Sequence, residues 1–486
     1  MELSDSNNAE VEVDVMDFNR LQTLTYSLQL DNYQRPYVWN KQKINQLLTD
    51  LTEFSKQASH QSYYMGTILL HQDDEKEALY VIDGQQRLSS LAVLYYSMCD
   101  ELPPRLAFNY RSQQSAKNLK LAQSIFQNTT ELRFDKNIFS QLQFTVITVK
   151  EEDLAFTFFD TQNNRGVPLK ATDLLKAYHL RAVNNGDSAF SEKLQEHCAR
   201  RWESVQSTKK QDENKINDFT QELFNQYLWR SRNWNGQKII VLENHDLILD
   251  SFQNGSVKVS EIDKVPLYPS RCNQFATELS LQKNNEHQLN LSPLTVTSNS
   301  INLPFSLRQP IHKGIGFFMY AQKYAELANQ LFYSDNVNPE IKSFREFYHK
   351  VVEYNSQYLQ ELFCLAVMMY VDQFGYLRLL EFACRFELVL GAIRLSKYIY
   401  QQAPIKYLKE SDYNVLDLIA NAYLPEDVMN FLKVDSYLKF YSLKEIPEVE
   451  FGKGVQGCYL KAHCLYYERP ADITDFDWFE QWLQRE

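Results

Sequence analysis

An apolar run, Ala78-Leu-Tyr-Val-Ile-Asp83, ends on Gly84 and gives way at once to a stretch in which Leu88, Leu91, Ala92, Tyr95 and Met98 recur at intervals of three and four. That change of period at a single glycine predicts a strand feeding directly into a helix over about 86–99. Between the two stand Asp83, Gly84, Gln85, Gln86 and Arg87: an acid, a glycine, two amides and a guanidinium. A helix start leaves backbone N–H groups without intrahelical acceptors beside the positive end of the helix dipole, where anions bind. Asp83 suits a metal ion or a hydroxyl, and Gln85 and Gln86 donate and accept together, as a base or sugar edge requires. Arg87 has the wrong sign for the dipole, a small cost that an anion offsets. The plainer alternative is a capped turn, with Asp83 as N-cap and Arg87 in solvent contributing little to stability.

Two other segments concentrate similar chemistry. In Tyr33-Gln-Arg-Pro-Tyr-Val-Trp39, Pro36 forces an extended backbone at Arg35. An arginine held extended among Tyr33, Tyr37 and Trp39 suits a bidentate phosphate clamp, and the same pattern suits an edge strand with aromatic packing. In Phe159-Asp-Thr-Gln-Asn-Asn-Arg-Gly166 a polar turn separates two helical periods. Asp160, Asn163 and Arg165 there offer ligand contacts, with Thr172 or Asp173 capping the next helix; a helical hairpin loop is the alternative.

The surrounding pattern is α+β. Residues 1–17 read as a loose acidic arm, and "YSLQLDNYQRPYVWN" reads as an extended segment stopping at Asn40, a good N-cap. Ile44, Leu47, Leu48, Leu51 and Phe54 then mark a helix over 41–57. "YYMGTILLH" and "ALYVID" form a hairpin across a charged turn, and "LQFTVITV" at 142–149 is a further strand. Helical periods dominate from about 186, interrupted near 236–310 by loops or a small β element. The expected division is a domain over 1–185 and a mainly helical one over 186–486. Only 13 glycines in 486 residues suit so much helix.

A net charge of -12 argues against wide, sequence-blind coating of DNA, while leaving room for a local basic groove. The seven cysteines include no CxxC pair, so reduced thiols are expected. The acidic N-terminus has no basic and apolar regions of a signal peptide, and "LFCLAVMMYV" is too short to span a bilayer. A cytoplasmic protein with no membrane partner is the expectation.

Taken together, Tyr33-Gln34-Arg35-x-Tyr37-x-Trp39, Gly66 in "YYMGTILL" and Asp83-Gly-Gln-Gln-Arg87 resemble the ParB-like N-terminal domain of GmrSD-type restriction proteins. "FFDTQNNRGVPLKATDLLK" is similar to that family's third segment, with Phe159, Asp160, Asn163, Gly166, Leu169, Asp173, Leu174 and Lys176 on the pattern and Asp160 in place of the usual Glu. The resemblance implies a ParB/sulfiredoxin-like fold that binds and hydrolyses a nucleoside triphosphate with a divalent cation, Mg2+ by preference, in bacterial defence against phage. It places Asp83 on the metal or the attacking water, Arg35 and Arg87 on phosphates, and Gln85 and Gln86 beside the nucleotide. Asp83, Gln86 and Arg87 are then the catalytic candidates, and Gln34, Arg35, Gly84, Gln85, Asn163 and Arg165 the nucleotide-binding ones. "HCLYYERPADITDFDWFEQWLQRE" has only His463 and no HNH nuclease pattern, so a separate nuclease partner acting on phage DNA is expected. Two rivals stand beside this reading: a non-enzymatic nucleotide-sensing subunit that binds DNA or protein, and a ParB-like nicking nuclease.

Overall fold

The Val-Glu-Val-Asp-Val-Met-Asp run at Val11–Asp17 is a β-strand, β1, and not the loose arm its acidity suggests. Its valines alternate with acids, a period of two that outweighs the charge. The computed structural model describes residues 11–30, 34–56, 62–106, 108–110, 112–130, 135–151, 154–155, 170–183, 188–209, 218–237, 239–240, 243–271, 277–281, 287–291, 300–396, 401–441, 450–468 and 477–484. The chain forms two compact units, Met1–Ala177 and Tyr178–Glu486.

In the first unit β1 is followed by β2 (Ser27–Gln29), α1 (Lys41–Ser55), β3 (Tyr63–Asp73), β4 (Ala78–Asp83), α2 (Gln85–Cys99), α3 (Gln113–Thr130) and β5 (Leu142–Val149), and α4 (Ala171–Arg181) runs across the boundary at Ala177. The five strands make one mixed sheet in the order β1-β5-β3-β4-β2. β1 runs antiparallel to β5, β5 parallel to β3, β3 antiparallel to β4 and β4 parallel to β2. The Asn40 side chain caps α1 by accepting from Lys43 N at 3.1 Å. Ile44, Leu47 and Leu51 of α1, Leu88, Leu91 and Leu94 of α2 and Phe126 of α3 share one core with Ile68, Leu70, Val81, Phe144 and Val146 of the sheet. An α+β unit results, its hairpin, fifth strand and second helix lying where the periodicity put them.

Gly66 sits where β3 gains one residue against β5: Tyr64 faces Gln143, but Thr67 faces Thr145. Its φ is +100°, and a Cβ there would lie 2.2 Å from Arg87 Nη1. Glycine is needed twice over, for the backbone and for the guanidinium that occupies the space.

The second unit is mainly helical. α5 (Ser188–Gln206) is followed by shorter turns and by a two-stranded hairpin, β6 (Thr277–Leu281) and β7 (His287–Leu291), which is the small β element expected near 236–310. His245–Leu249, in the same region, is helical because Asn244 caps it through Leu247 N. Then come α6 (Ile315–Ala328), α7 (Lys342–Lys350), α8 (Gln357–Phe374), α9 (Leu379–Ser396), α10 (Ala403–Glu410), α11 (Val415–Asn421), α12 (Pro425–Tyr441), α13 (Gly454–Tyr466) and α14 (Asp477–Leu483). α9 is buried from Phe382 to Leu395 on every side, as a central helix is, and it takes Arg385, Glu387 and Arg394 into the interior with it. Among the described residues the cysteines are free thiols and no helix is long and apolar enough to cross a membrane.

Two outcomes follow. Gly66→Ala should lower stability by about 1–3 kcal/mol, because the side chain strains a positive φ and displaces Arg87; an unchanged urea midpoint would refute the coupling. Glu387, enclosed on α9, is pushed by burial from 4.5 to about 8, with the Tyr459 hydroxyl donating to it. His463 Nε2 lies 3.9 Å from the same carboxyl, an ion pair only when the imidazole is protonated. The folded value lies above the unfolded one, so this group's stabilisation is complete below about pH 4.5 and is lost as the pH rises toward about 8. Glu387→Gln should flatten the decline in melting temperature across that window; an identical pH profile would show the carboxyl to be ionised throughout.

Candidate functional site

At the end of β4 the cap of α2 is Gly84, not Asp83. Gly84 has φ 96° and no side-chain hydrogen bond caps the helix, so its amide end is not closed by a side chain. A Cβ on Gly84 would meet Ile68 Cγ1 at 3.1 Å, so the positive φ and the close approach of β3 both require glycine. The Asp83 carboxylate, 41% exposed, stands beside the helix start with its Oδ2 at 3.5 Å from Arg87 Nη2.

Gln85 and Gln86 are buried, and both reach back to the Arg35 segment. Gln85 Nε2 donates to the Arg35 carbonyl at 2.8 Å and to the Tyr110 hydroxyl at 3.1 Å. Gln86 Nε2 donates to the Pro36 carbonyl at 3.0 Å, while Val38 N donates to Gln86 Oε1 at 2.8 Å. These amides grip main chain first; what they position directly is the loop that carries Arg35. Tyr37 N donates to Ser115 Oγ at 2.8 Å and Asn118 Nδ2 donates to the Tyr37 carbonyl at 2.9 Å. The segment is therefore not the edge strand that its alternation allowed. Its extended backbone finds side-chain partners instead of a ladder.

Gln34 completes the grip from the other side. β2 pairs with β4 only as far as Tyr80, and the Gln34 amide then donates to the next two carbonyls, Val81 at 2.8 Å and Ile82 at 3.0 Å. Lys176 of α4, buried, donates from Nζ to the Gln34 carbonyl at 3.1 Å. The third motif thus meets the Tyr33–Trp39 segment through its lysine. α4 begins at Ala171, which puts Thr172 and Asp173 inside its first turn and not at the cap. Asp160, Asn163 and Arg165 lie outside the described residues.

Arg87 is not the solvated first-turn arginine of the capped-turn reading. Its Nη1 donates to the Met65 carbonyl at 2.9 Å and its Nη2 to the Thr67 carbonyl at 2.7 Å, bracketing the bulge at Gly66. With Asp83 as a third, longer contact, two of the five N–H donors of the guanidinium have no such role. The side chain is 25% exposed. Arg35 differs: among the described residues its guanidinium has no hydrogen-bond or ion-pair partner, and it is half-buried.

Two tyrosines belong to this neighbourhood that sequence reasoning did not single out. Tyr64, exposed, shares hydrogen bonds with Thr145 Oγ1 at 3.1 Å and Thr67 Oγ1 at 3.4 Å. Those two hydroxyls, with the nearby Arg87 charge, lower its phenol below the ordinary value. Tyr110 touches Gln85 and Ser89, and burial raises it to about 12. Tyr64 precedes the bulge by two residues, a position legible only once the bulge is known. For a divalent cation the turn supplies Asp83, and among the described residues no group of three or more His, Cys, Asp or Glu could hold a metal. One carboxylate is too few ligands for an all-protein cage, so a divalent cation at the turn would draw its other ligands from phosphate oxygens and water.

Residues 15–180 match the GmrSD restriction endonuclease N-terminal domain. Residues 194–446 match the family of unknown function DUF7834. No curated protein matches the chain. The first match spans all the elements that build the Asp83–Arg87 turn, and the second covers more than half of the chain, from within α5 to beyond α12. The chain belongs to the DUF7834 family and carries, ahead of that region, a GmrSD-type N-terminal domain.

Proposed function

We propose that the N-terminal unit, a ParB-like domain, binds and hydrolyses a nucleoside triphosphate with Mg2+ at the Asp83–Arg87 turn. The chain then uses that event to control restriction of phage DNA through a separate nuclease partner. The observation that carries this reading is that Gln34, Gln85 and Gln86 tie the main chain around Arg35 to the end of β4 and the first turn of α2, where Asp83 and Arg87 stand. An unpaired guanidinium, an arginine edge with donors to spare, a carboxylate and a helix start without a side-chain cap form a donor set suited to a polyphosphate and its metal.

The chemistry asked of such a site is positioning and charge stabilisation, since phosphoryl transfer needs little covalent help. Asp83 would hold the metal or orient the attacking water. Arg35 and the spare donors of Arg87 would bind phosphate oxygens on which negative charge gathers. Gln85 and Gln86 act one step back, fixing the loop that aims Arg35. Arg87 has two jobs, because the carbonyls that hold it also fix where its spare donors point.

Arg35→Ala should weaken binding of ATP or GTP with Mg2+ by about 1.5–3 kcal/mol, tenfold or more, with no change in melting temperature. Arg87→Ala should lower affinity and melting temperature together. Unchanged nucleotide affinity in Arg35→Ala, measured by calorimetry on the full chain, would defeat the proposal. Asp83→Asn should retain nucleotide and lose phosphate release; tight binding without turnover in the wild type would select the sensing reading instead. The purified chain should leave modified and unmodified phage DNA uncut, with or without nucleotide and Mg2+. Nicking that disappears in Asp83→Asn would favour a nuclease in this domain.

A further inference from the structure

The second unit contains a cavity of about 650 Å³, lined by Lys323 and Leu327 of α6, the Val371–Phe374 end of α8, the loop after it, and Arg271. Its volume falls within the range of small-molecule sites, about 300–1,000 Å³. Two cations line it, and they are held in different ways. Lys323 donates to Asp372 Oδ1 at 2.8 Å and to the Phe305 carbonyl, leaving one of three ammonium protons without such a role. Asp372 also accepts from the Tyr324 hydroxyl and from Leu307 N, so its acceptor capacity is largely taken.

Arg271 has no such counterpart. Among the described residues its guanidinium makes no hydrogen bond or ion pair, and its Nε is buried without an acceptor. Glu340 lines the same cavity but forms no ion pair with it. The backbone has nonetheless made room for the group. Gly375 has φ +68°, and a Cβ there would come within 3.2 Å of Arg271 Nη1. Holding a guanidinium against a tight glycine turn with no acceptor is unfavourable unless something else supplies one.

We infer that this cavity binds a small molecule that presents an oxyanion, phosphate or carboxylate, to Arg271 and the spare proton of Lys323. Leu327, Val371 and Phe374 offer an apolar wall for the rest of the ligand, and the Asn302 amide adds a polar contact of either sense. The planar fork of Arg271 gives the anion its orientation, and Lys323 adds charge at a point fixed by Asp372. The site is independent of the nucleotide reading of the N-terminal unit.

Phenyl phosphate and benzoate, each an oxyanion on an apolar ring, separate the two anion sources when titrated into the full chain by ligand-observed NMR. At least one should bind saturably. Arg271→Gln should weaken it at least about tenfold while leaving the melting temperature unchanged or higher, since an unpaired buried donor is removed. Arg35→Ala should leave this binding untouched. If Arg271→Gln folds poorly, Leu327→Trp, which fills the cavity from α6, must abolish binding in its place. Failure of both probes to bind, survival of binding in the substituted cavity, or its loss in Arg35→Ala would overturn the inference.

Discussion

The first turn of α2 faces two ways, and the N-terminal unit depends on both. Gln85 and Gln86 take hold of the Arg35–Val38 main chain, and Arg87 takes hold of the β3 bulge. Three consecutive side chains thus join a loop, a strand end and a helix start. Each bond is modest, about 0.5–1.5 kcal/mol net, but leaving any of these buried carbonyls without a donor costs more than the bond contributes. The cluster therefore specifies one arrangement more than it adds stability. Gln34 works by the same rule on β4, supplying donors where β2 stops.

This economy explains why the motif is so polar yet so little exposed. The Arg35 segment cannot rest on its own backbone alone, because extended segments without a ladder leave their N–H and C=O groups open. Here the Arg35 loop is satisfied by side chains from α2 and α3, and its own guanidinium is the part left over. Rigid support beneath a free charged group is the arrangement that catalytic and binding sites need. The same contrast recurs in the second unit, where Lys323 is locked by Asp372 while, among the described residues, Arg271 has no acceptor.

Charge burial in the second unit follows a second rule. Arg230 lies between Glu243 and Glu361, and Arg385 between Glu381 and Glu480, so these buried guanidiniums have carboxylate partners and stay charged. Glu387 accepts from the Tyr459 hydroxyl and has no Lys or Arg partner among the described residues, and burial drives it toward the neutral form. Paired charges of the first kind contribute specificity more than stability, since desolvation consumes much of their attraction.

The sequence by itself determined the local elements: the hairpin of β3 and β4, the helix after Gly84, β5, the cap at Asn40 and the dominance of helix beyond residue 186. Those follow from period, caps and turn residues, which are properties of neighbours along the chain. It also marked Gln34, Arg35, Asp83, Gln85, Gln86 and Arg87 as belonging together. It misjudged β1, whose acidic residues hid a period of two, and it could not say which partner each polar group would take. Gln85 reads alike whether its amide meets a base or a carbonyl fifty positions away. Arg87 reads alike whether solvated or folded over a bulge. Only the tertiary structure decided these, because a hydrogen-bond partner is fixed by which strands and loops the register brings within 3 Å, and register is a property of the assembled sheet.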